Sequence, residues 1–180
     1  MTQNAVVVLA GGESRRFGSD KLDVLLDEVL SGLPAEAVVV CVGPQRATAV
    51  RTDVLWTREE PAGAGPLAAV GAGVRVDVAQ DADVVVLVGG DMPRVGAAVP
   101  ALVSALESAG AATDTAVLVD GTGRRQALAS AWRGRALTTA LERLGPLDGV
   151  PLHRLLDGVV LVEVADRWGG AHDVDTPADL

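Results

Sequence analysis

Residues 5–21, AVVVLAGGESRRFGSDK, decide the reading of this 180-residue chain. Val6, Val7, Val8 and Leu9 are a short run of β-formers, the pattern of a strand buried on both faces. The run stops at Gly11-Gly12 and passes into a polar loop carrying Arg15, Arg16 and Lys21. A buried strand that feeds a glycine turn at the carboxyl edge of a sheet is where α/β proteins bind nucleotides. Glycines let backbone N–H groups approach a phosphate with no Cβ in the way. Arg16 and Lys21 are then placed to neutralise a triphosphate that an otherwise acidic chain would repel. The spacing is neither G-x-G-x-x-G nor G-x-x-x-x-G-K-S/T, so the dinucleotide fingerprint and the P-loop are both excluded.

Outward from this loop the chain alternates apolar runs with helical patterns. Leu22, Leu25, Leu26, Val29 and Leu30 share one face of a predicted helix, which Gly32 and Pro34 stop. AVVVCVG (37–43) reads as a second buried strand, QRATAV (45–50) as a short helix and DVLWT (53–57) as a third strand. A Gly/Pro loop then enters a small-residue helix with Pro66 in its first turn. VVVLV (84–88) is a central strand, 97–109 an amphipathic helix, and 114–120 and 125–133 two strands joined by the GTGR turn. Two helical patterns, RALTTALERL and PLHRLLDG, precede a last strand at 159–164. Strands alternating with helices over short links predict one α/β domain, residues 1–180, with a mostly parallel, doubly wound sheet.

Composition narrows the function. The net charge is −9, which disfavours nucleic acid and anionic membranes as partners unless the basic residues cluster. They cluster only in the first loop and at Arg124-Arg125, enough for a small anion. Three Trp, one Phe and no Tyr leave no stacking platform for single strands. Mean hydropathy is +0.33, yet no stretch approaches the roughly 18 apolar residues of a membrane span. The start, MTQNAVVVLAGG, lacks the features of a signal peptide. The single Cys41 fits a reducing compartment, so a cytoplasmic protein, monomeric or weakly oligomeric, is expected.

The second informative stretch is DVVVLVGGDMP, residues 83–93. Its strand ends at Gly89-Gly90 and is followed by a carboxylate, Asp91, in the position where α/β sheets hold ligands. Mg²⁺ takes few protein carboxylates and completes its shell with phosphate oxygens and water. Asp91 is therefore read as the ligand of an Mg²⁺ cofactor beside the triphosphate.

The first loop resembles the signature L-A-G-G-x-S-x-R-M-G-x-D-K of the molybdenum cofactor guanylyltransferase-like (MobA-like) NTP transferase family. Leu9, Ala10, Gly11, Gly12, Ser14, Arg16, Gly18, Asp20 and Lys21 match, and Phe17 replaces Met. Gly65, Pro66 and Leu67 resemble the family's G-P-L-A-G-I segment, which helps enclose the base. Asp91-Met92-Pro93 resembles its metal-binding D-M-P. Arg124, Arg125 and Gln126 resemble the segment where the second substrate docks, although a solvated turn accounts for them equally. The closing DVDTPADL resembles N-x-N-T-P-x-D-L, so Asp173 and Asp175 either add a metal contact or stabilise the helix opening at Thr176-Pro177.

The resemblance implies a three-layer Rossmann-like fold of the nucleotide-diphospho-sugar transferase type. It implies transfer of GMP from GTP to the phosphate of molybdopterin, with Arg16, Lys21 and Asp91 catalytic. Three departures keep a cytidylyl- or other NTP-transferase, and a non-catalytic nucleotide-binding relative, open as alternatives. Lys21 runs into its helix without the usual G-x-P turn. The loop after the second strand reads VGPQR in place of one with an Asn near the base. Arg58, Glu59 and Glu60 stand where an Asp is common.

Overall fold

A computed structural model describes residues 4–11 and 21–174. Seven strands form one sheet: β1 (Asn4–Leu9), β2 (Val38–Val42), β3 (Leu55–Thr57), β4 (Val84–Gly89), β5 (Thr115–Val119), β6 (Arg125–Arg133) and β7 (Leu161–Ala165), in the order β3-β2-β1-β4-β6-β5-β7. The helices are α1 (Lys21–Gly32), α2 (Pro66–Val74), α3 (Asp77–Gln80), α4 (Val99–Ser108) and α5 (Gly134–Leu144). Every strand runs parallel to its neighbours except β6, which is antiparallel to both β4 and β5.

The uninterrupted valines of the central strands have a direct cause. Val6 and Val8 of β1 pack with Val29, Leu30 and Leu102 on one side of the sheet. Ala5 and Val7 pack with Leu67, Val70 and Leu137 on the other. Side chains alternate across a strand, so a strand covered on both faces must be apolar at every position. Cys41 lies in the first of these layers, and burial pushes its thiol up to about 12, leaving it an inert core residue. The mostly parallel, three-layer α/β architecture is the one expected from the sequence.

Small residues bring α2 close to the sheet. A Cβ on Gly73 would stand 2.5 Å from Val7 Cγ1 and 2.8 Å from Val42 Cγ2. The Gly/Ala composition of this helix is thus a packing requirement.

The antiparallel strand follows from a tight turn. Asp120 Oδ1 accepts hydrogen bonds from the Thr122 N–H (2.8 Å), the Thr122 hydroxyl (2.6 Å) and the Arg124 N–H (3.0 Å). The Gln126 amide donates to Asp120 Oδ2 at 2.9 Å. A hairpin this short forces the two strands to run in opposite directions. The Thr122 hydroxyl first, then the Arg124 N–H, hold the Asp120 carboxyl well below its ordinary 3.8, at about 2, against the opposing effect of desolvation.

Three local expectations are corrected. Residues 45–50 form no helix. Arg46 Nη1 reaches Asp23 Oδ1 at 2.5 Å, and the Ala49 N–H donates to Asp27 Oδ1 at 3.0 Å, so α1 holds this stretch as a loop. Six residues are too few to nucleate a helix against such competition. PLHRLLDG contains only a 3-10 turn, Leu152–Leu156, with His153 exposed. The helix expected over 97–109 begins as a 3-10 turn, Val95–Ala98, and becomes α-helical at Val99, with Pro100 in its first turn. The helix start read at Thr176-Pro177 lies outside the described residues.

Gly73→Val should lower stability by about 2 kcal/mol through overpacking, a fall in Tm of roughly 4–8 °C for a chain of this size, read by circular dichroism. The Asp120 turn should contribute stability that is complete above its ordinary pKa of 3.8 and lost as pH falls through about 2. Wild type should therefore lose its stability advantage over Asp120→Asn across that window in acid denaturation.

Candidate functional site

The carboxyl ends of the parallel strands are joined one residue beyond the sheet. The Ala10 N–H donates to Val42 O at 2.8 Å, the Gly43 N–H to Thr57 O at 2.9 Å, and the Gly90 N–H to Leu9 O at 3.0 Å. The loops after β1, β2, β3 and β4 thereby leave the sheet side by side. Two glycines permit this closeness. A Cβ on Gly43 (φ 148°) would stand 2.4 Å from Ala10 O, and one on Gly90 would stand 2.8 Å from Leu9 O.

Of the first loop, Leu9, Ala10 and Gly11 are described. Leu9 is half-buried, and Ala10 is fully buried with its N–H spent on Val42 O, so Ala10 serves to shape the turn. Gly11 is exposed, and a Cβ there would make only ordinary contacts of 3.6 Å with the loop after β2. Gly12, Ser14 and Arg16 lie outside the described residues. Lys21 opens α1 at the same edge, and its side chain also lies outside the described part.

Asp91 stands two residues past β4. Its Oδ1 lies 2.9 Å from where a Gly89 Cβ would be, as does Met92 Sδ, so any side chain at 89 would displace the carboxylate. The buried Met92 anchors the turn, its N–H donating to Gly89 O at 3.3 Å and its carbonyl accepting from the Val95 N–H at 3.0 Å. Asp91 is partly exposed.

The structure brings the chain's last described residues to this point. The Val174 N–H donates to Asp91 O at 3.0 Å, and Val174 is buried at 1% exposure. Asp173, 82 residues from Asp91 along the chain, thus lies beside it and is exposed. Asp175 lies outside the described residues. Among the described residues no three His, Cys, Asp or Glu side chains gather to hold a metal ion. Asp91 and Asp173 stand on adjoining backbone, and Mg²⁺, which takes few protein carboxylates and fills most of its octahedron with phosphate oxygens and water, is the ion that such a pair would fit.

The other expected positions divide. Gly65 (φ 103°) and the exposed Pro66 form the start of α2 at the same edge, because α2 follows β3. Leu67 is fully buried in the core beneath, so its side chain serves packing. Because β6 runs backward, Arg124, Arg125 and Gln126 also sit at the carboxyl edge, beside the end of β5. Their side chains are partly engaged there: Arg125 Nε pairs with Glu163 Oε1 at 2.7 Å, and Gln126 is tied to Asp120. Arg124 is exposed.

One feature was not legible in the sequence. A cavity of about 500 Å³ opens between the first turns of α1 and the loop after β2, lined by Leu22, Asp23, Leu26, Asp27, Gln45 and Arg46 among others. The only signal was the departure VGPQR, and its meaning depends on α1 holding that loop. No helix among the described residues is long and apolar enough to cross a membrane.

Comparison with known proteins agrees with this geometry. A probable molybdenum cofactor guanylyltransferase of Mycobacterium avium is 33% identical over 194 aligned positions, covering 99% of this chain and 93% of the relative. Molybdopterin-guanine dinucleotide biosynthesis protein A from Archaeoglobus fulgidus superimposes with a TM-score of 0.69 at 22% identity, covering 97% and 94% of the two chains. The 2-C-methyl-D-erythritol 4-phosphate cytidylyltransferase of Thermus thermophilus superimposes with a TM-score of 0.66 at 16% identity, covering 98% and 95%. These two likenesses establish the shared Rossmann-like fold. The profile of the MobA-like NTP transferase domain matches residues 6–159, the span holding the glycine loop, Gly65-Pro66 and Asp91, and the chain belongs to that family.

Proposed function

We propose that the protein is an Mg²⁺-dependent guanylyltransferase that moves GMP from GTP to the phosphate of molybdopterin. The observation that carries this reading is the convergence of Gly11, Asp91 and Asp173 on one sheet edge, with the Val174 N–H bonded to Asp91 O. Full-length similarity to a relative named as a probable molybdenum cofactor guanylyltransferase supports the substrate choice.

An oxygen of the acceptor phosphate attacks the α-phosphorus of the nucleotide. The bond from that phosphorus to the oxygen bridging α and β breaks, and pyrophosphate leaves with the electron pair. Such a transfer needs little covalent work from the protein; positioning and charge stabilisation supply most of the rate. The exposed backbone at Gly11 approaches the phosphates. Arg16 and Lys21 stabilise charge on the transferring and leaving groups. Asp91 and Asp173 hold Mg²⁺, with Asp175 next in the same segment. When bound, Mg²⁺ supplies neutralisation and polarisation of the phosphate oxygens. The start of α2 closes one side of the nucleotide, and the cavity beside Gln45 takes the base. Arg124, Arg125 and Gln126 face the acceptor from the hairpin.

The loop after β2 favours keeping a second base in view. It offers Gln45 and an Arg46 already engaged by Asp23. Calorimetric titration of GTP, CTP, ATP and UTP, each with and without Mg²⁺, separates the readings. GTP should bind only with Mg²⁺, and Asp91→Ala should abolish that binding and reduce kcat/KM for pyrophosphate release by about 100-fold, roughly 2.7 kcal/mol. Binding of CTP alone would reassign the base. Binding of no nucleotide would overturn the transferase reading. Gln45→Ala should weaken the preferred nucleotide by about 10-fold while leaving the others unchanged, as expected for loss of a base-reading hydrogen bond.

A further inference from the structure

The segment that carries Asp173 does not reach Asp91 by its own sequence neighbours. The side chain that gathers its path stands at the end of β7. Asp166 continues the β5–β7 pairing by one bond, its N–H donating to Val119 O at 2.9 Å. Its carboxylate then collects the loop that follows. Oδ1 accepts from the Trp168 N–H at 3.0 Å and the Gly170 N–H at 3.0 Å, and Oδ2 accepts from the Ala171 N–H at 2.8 Å. Burial pushes the Asp166 carboxyl upward, but the N–H groups of Ala171, Trp168, Gly170 and Gly169 outweigh it and hold the carboxyl below its usual range.

The loop so gathered rests on the turn that follows Asp91. A Cβ on Gly170 would stand 3.2 Å from Ala98 Cβ and 3.4 Å from Val95 Cα, and one on Gly169 would stand 3.5 Å from Arg94 Cδ. Gly169 adopts φ 69°, which glycine permits without strain. Five residues after Gly169 the Val174 N–H closes on Asp91 O. The loop therefore meets the Asp91 turn at two places, over residues 94–98 and at Asp91 itself, and the Asp166 carboxylate sets the path between β7 and both.

We propose that Asp166 is a positioning residue for the metal–phosphate site, fixing the return loop so that Asp173 stands beside Asp91. This rests on the reading of Asp91 and Asp173 as carboxylates that hold an Mg²⁺-nucleotide. Asp166 does not touch the nucleotide; it acts through Asp173. Replacement by Asn keeps one acceptor oxygen for Trp168 and Gly170 but places an NH₂ against the Ala171 N–H. The loop then loses its closing bond while its volume is preserved.

The test is calorimetric affinity for Mg²⁺-nucleotide in wild type, Asp166→Asn, Asp173→Asn and the double variant, with thermal unfolding of each. Asp114→Asn is the control. Asp114 Oδ2 accepts from the Val160 N–H at 2.7 Å just before β7, so its loss costs stability away from the site. Asp166→Asn should weaken Mg²⁺-nucleotide binding by roughly 10-fold, the scale of losses when a group supporting a metal ligand is removed. It should have no further effect in the Asp173→Asn background. Asp114→Asn should melt earlier yet bind as wild type. Wild-type affinity in Asp166→Asn overturns the proposal, as does an equal further loss in the Asp173→Asn background, which would mark a merely structural role. Absence of Mg²⁺-nucleotide binding by wild type itself would instead bring down the functional reading beneath it, and the proposal with it.

Discussion

The site depends on how closely the backbone can be brought together at the carboxyl edge of the sheet. The bonds from Ala10 to Val42, Gly43 to Thr57 and Gly90 to Leu9 carry the strand pairing beyond the strands proper. Each bond requires that no side chain intervene, and at Gly43 and Gly90 a Cβ would stand within 3 Å of a backbone oxygen. Glycine here is a steric condition for the sheet edge to close. With that edge closed, the loops from four strands leave the sheet side by side, and the carboxylate of Asp91 lies against Gly89.

Around this edge the fold repeats one device, a carboxylate that gathers backbone N–H groups. Asp120 does so at the β5–β6 turn, Asp166 at the end of β7, and Asp27 toward Ala49 in the loop after β2. Hydrogen bonds between a carboxylate and backbone N–H groups are charge-assisted and stronger than neutral ones. They give irregular segments a defined path without secondary structure. Asp120 and Asp166 stay ionised, and each of these acids spends its hydrogen-bonding capacity on the chain's own N–H groups and so fixes a loop.

The central strands β1, β2 and β4 were legible because burial on both faces leaves an unmistakable apolar run, as in AVVVCVG and VVVLV. Gly11 and Asp91 were legible because each follows such a run, where chain direction alone puts it at the ligand edge. The loop at 45–50 was not. Its helical pattern is short, and its conformation is set by Asp23 and Asp27, more than twenty residues earlier in sequence. Leu67 matched a nucleotide-binding motif, yet its helix turns it into the core; a motif names the segment, and the helix phase decides which side chain points where.

The sequence by itself determined the α/β class, the position of the glycine loop and the identity of the carboxylate after β4, because these rest on local periodicity and on residues adjacent in the chain. Only the tertiary structure decided which distant groups meet them. The backward course of β6 carries Arg124–Gln126 to the carboxyl edge, and Asp166 and the Val174–Asp91 bond carry Asp173 to the same place. No periodicity encodes those encounters. They arise where buried surfaces and backbone hydrogen bonds from remote segments must be satisfied together.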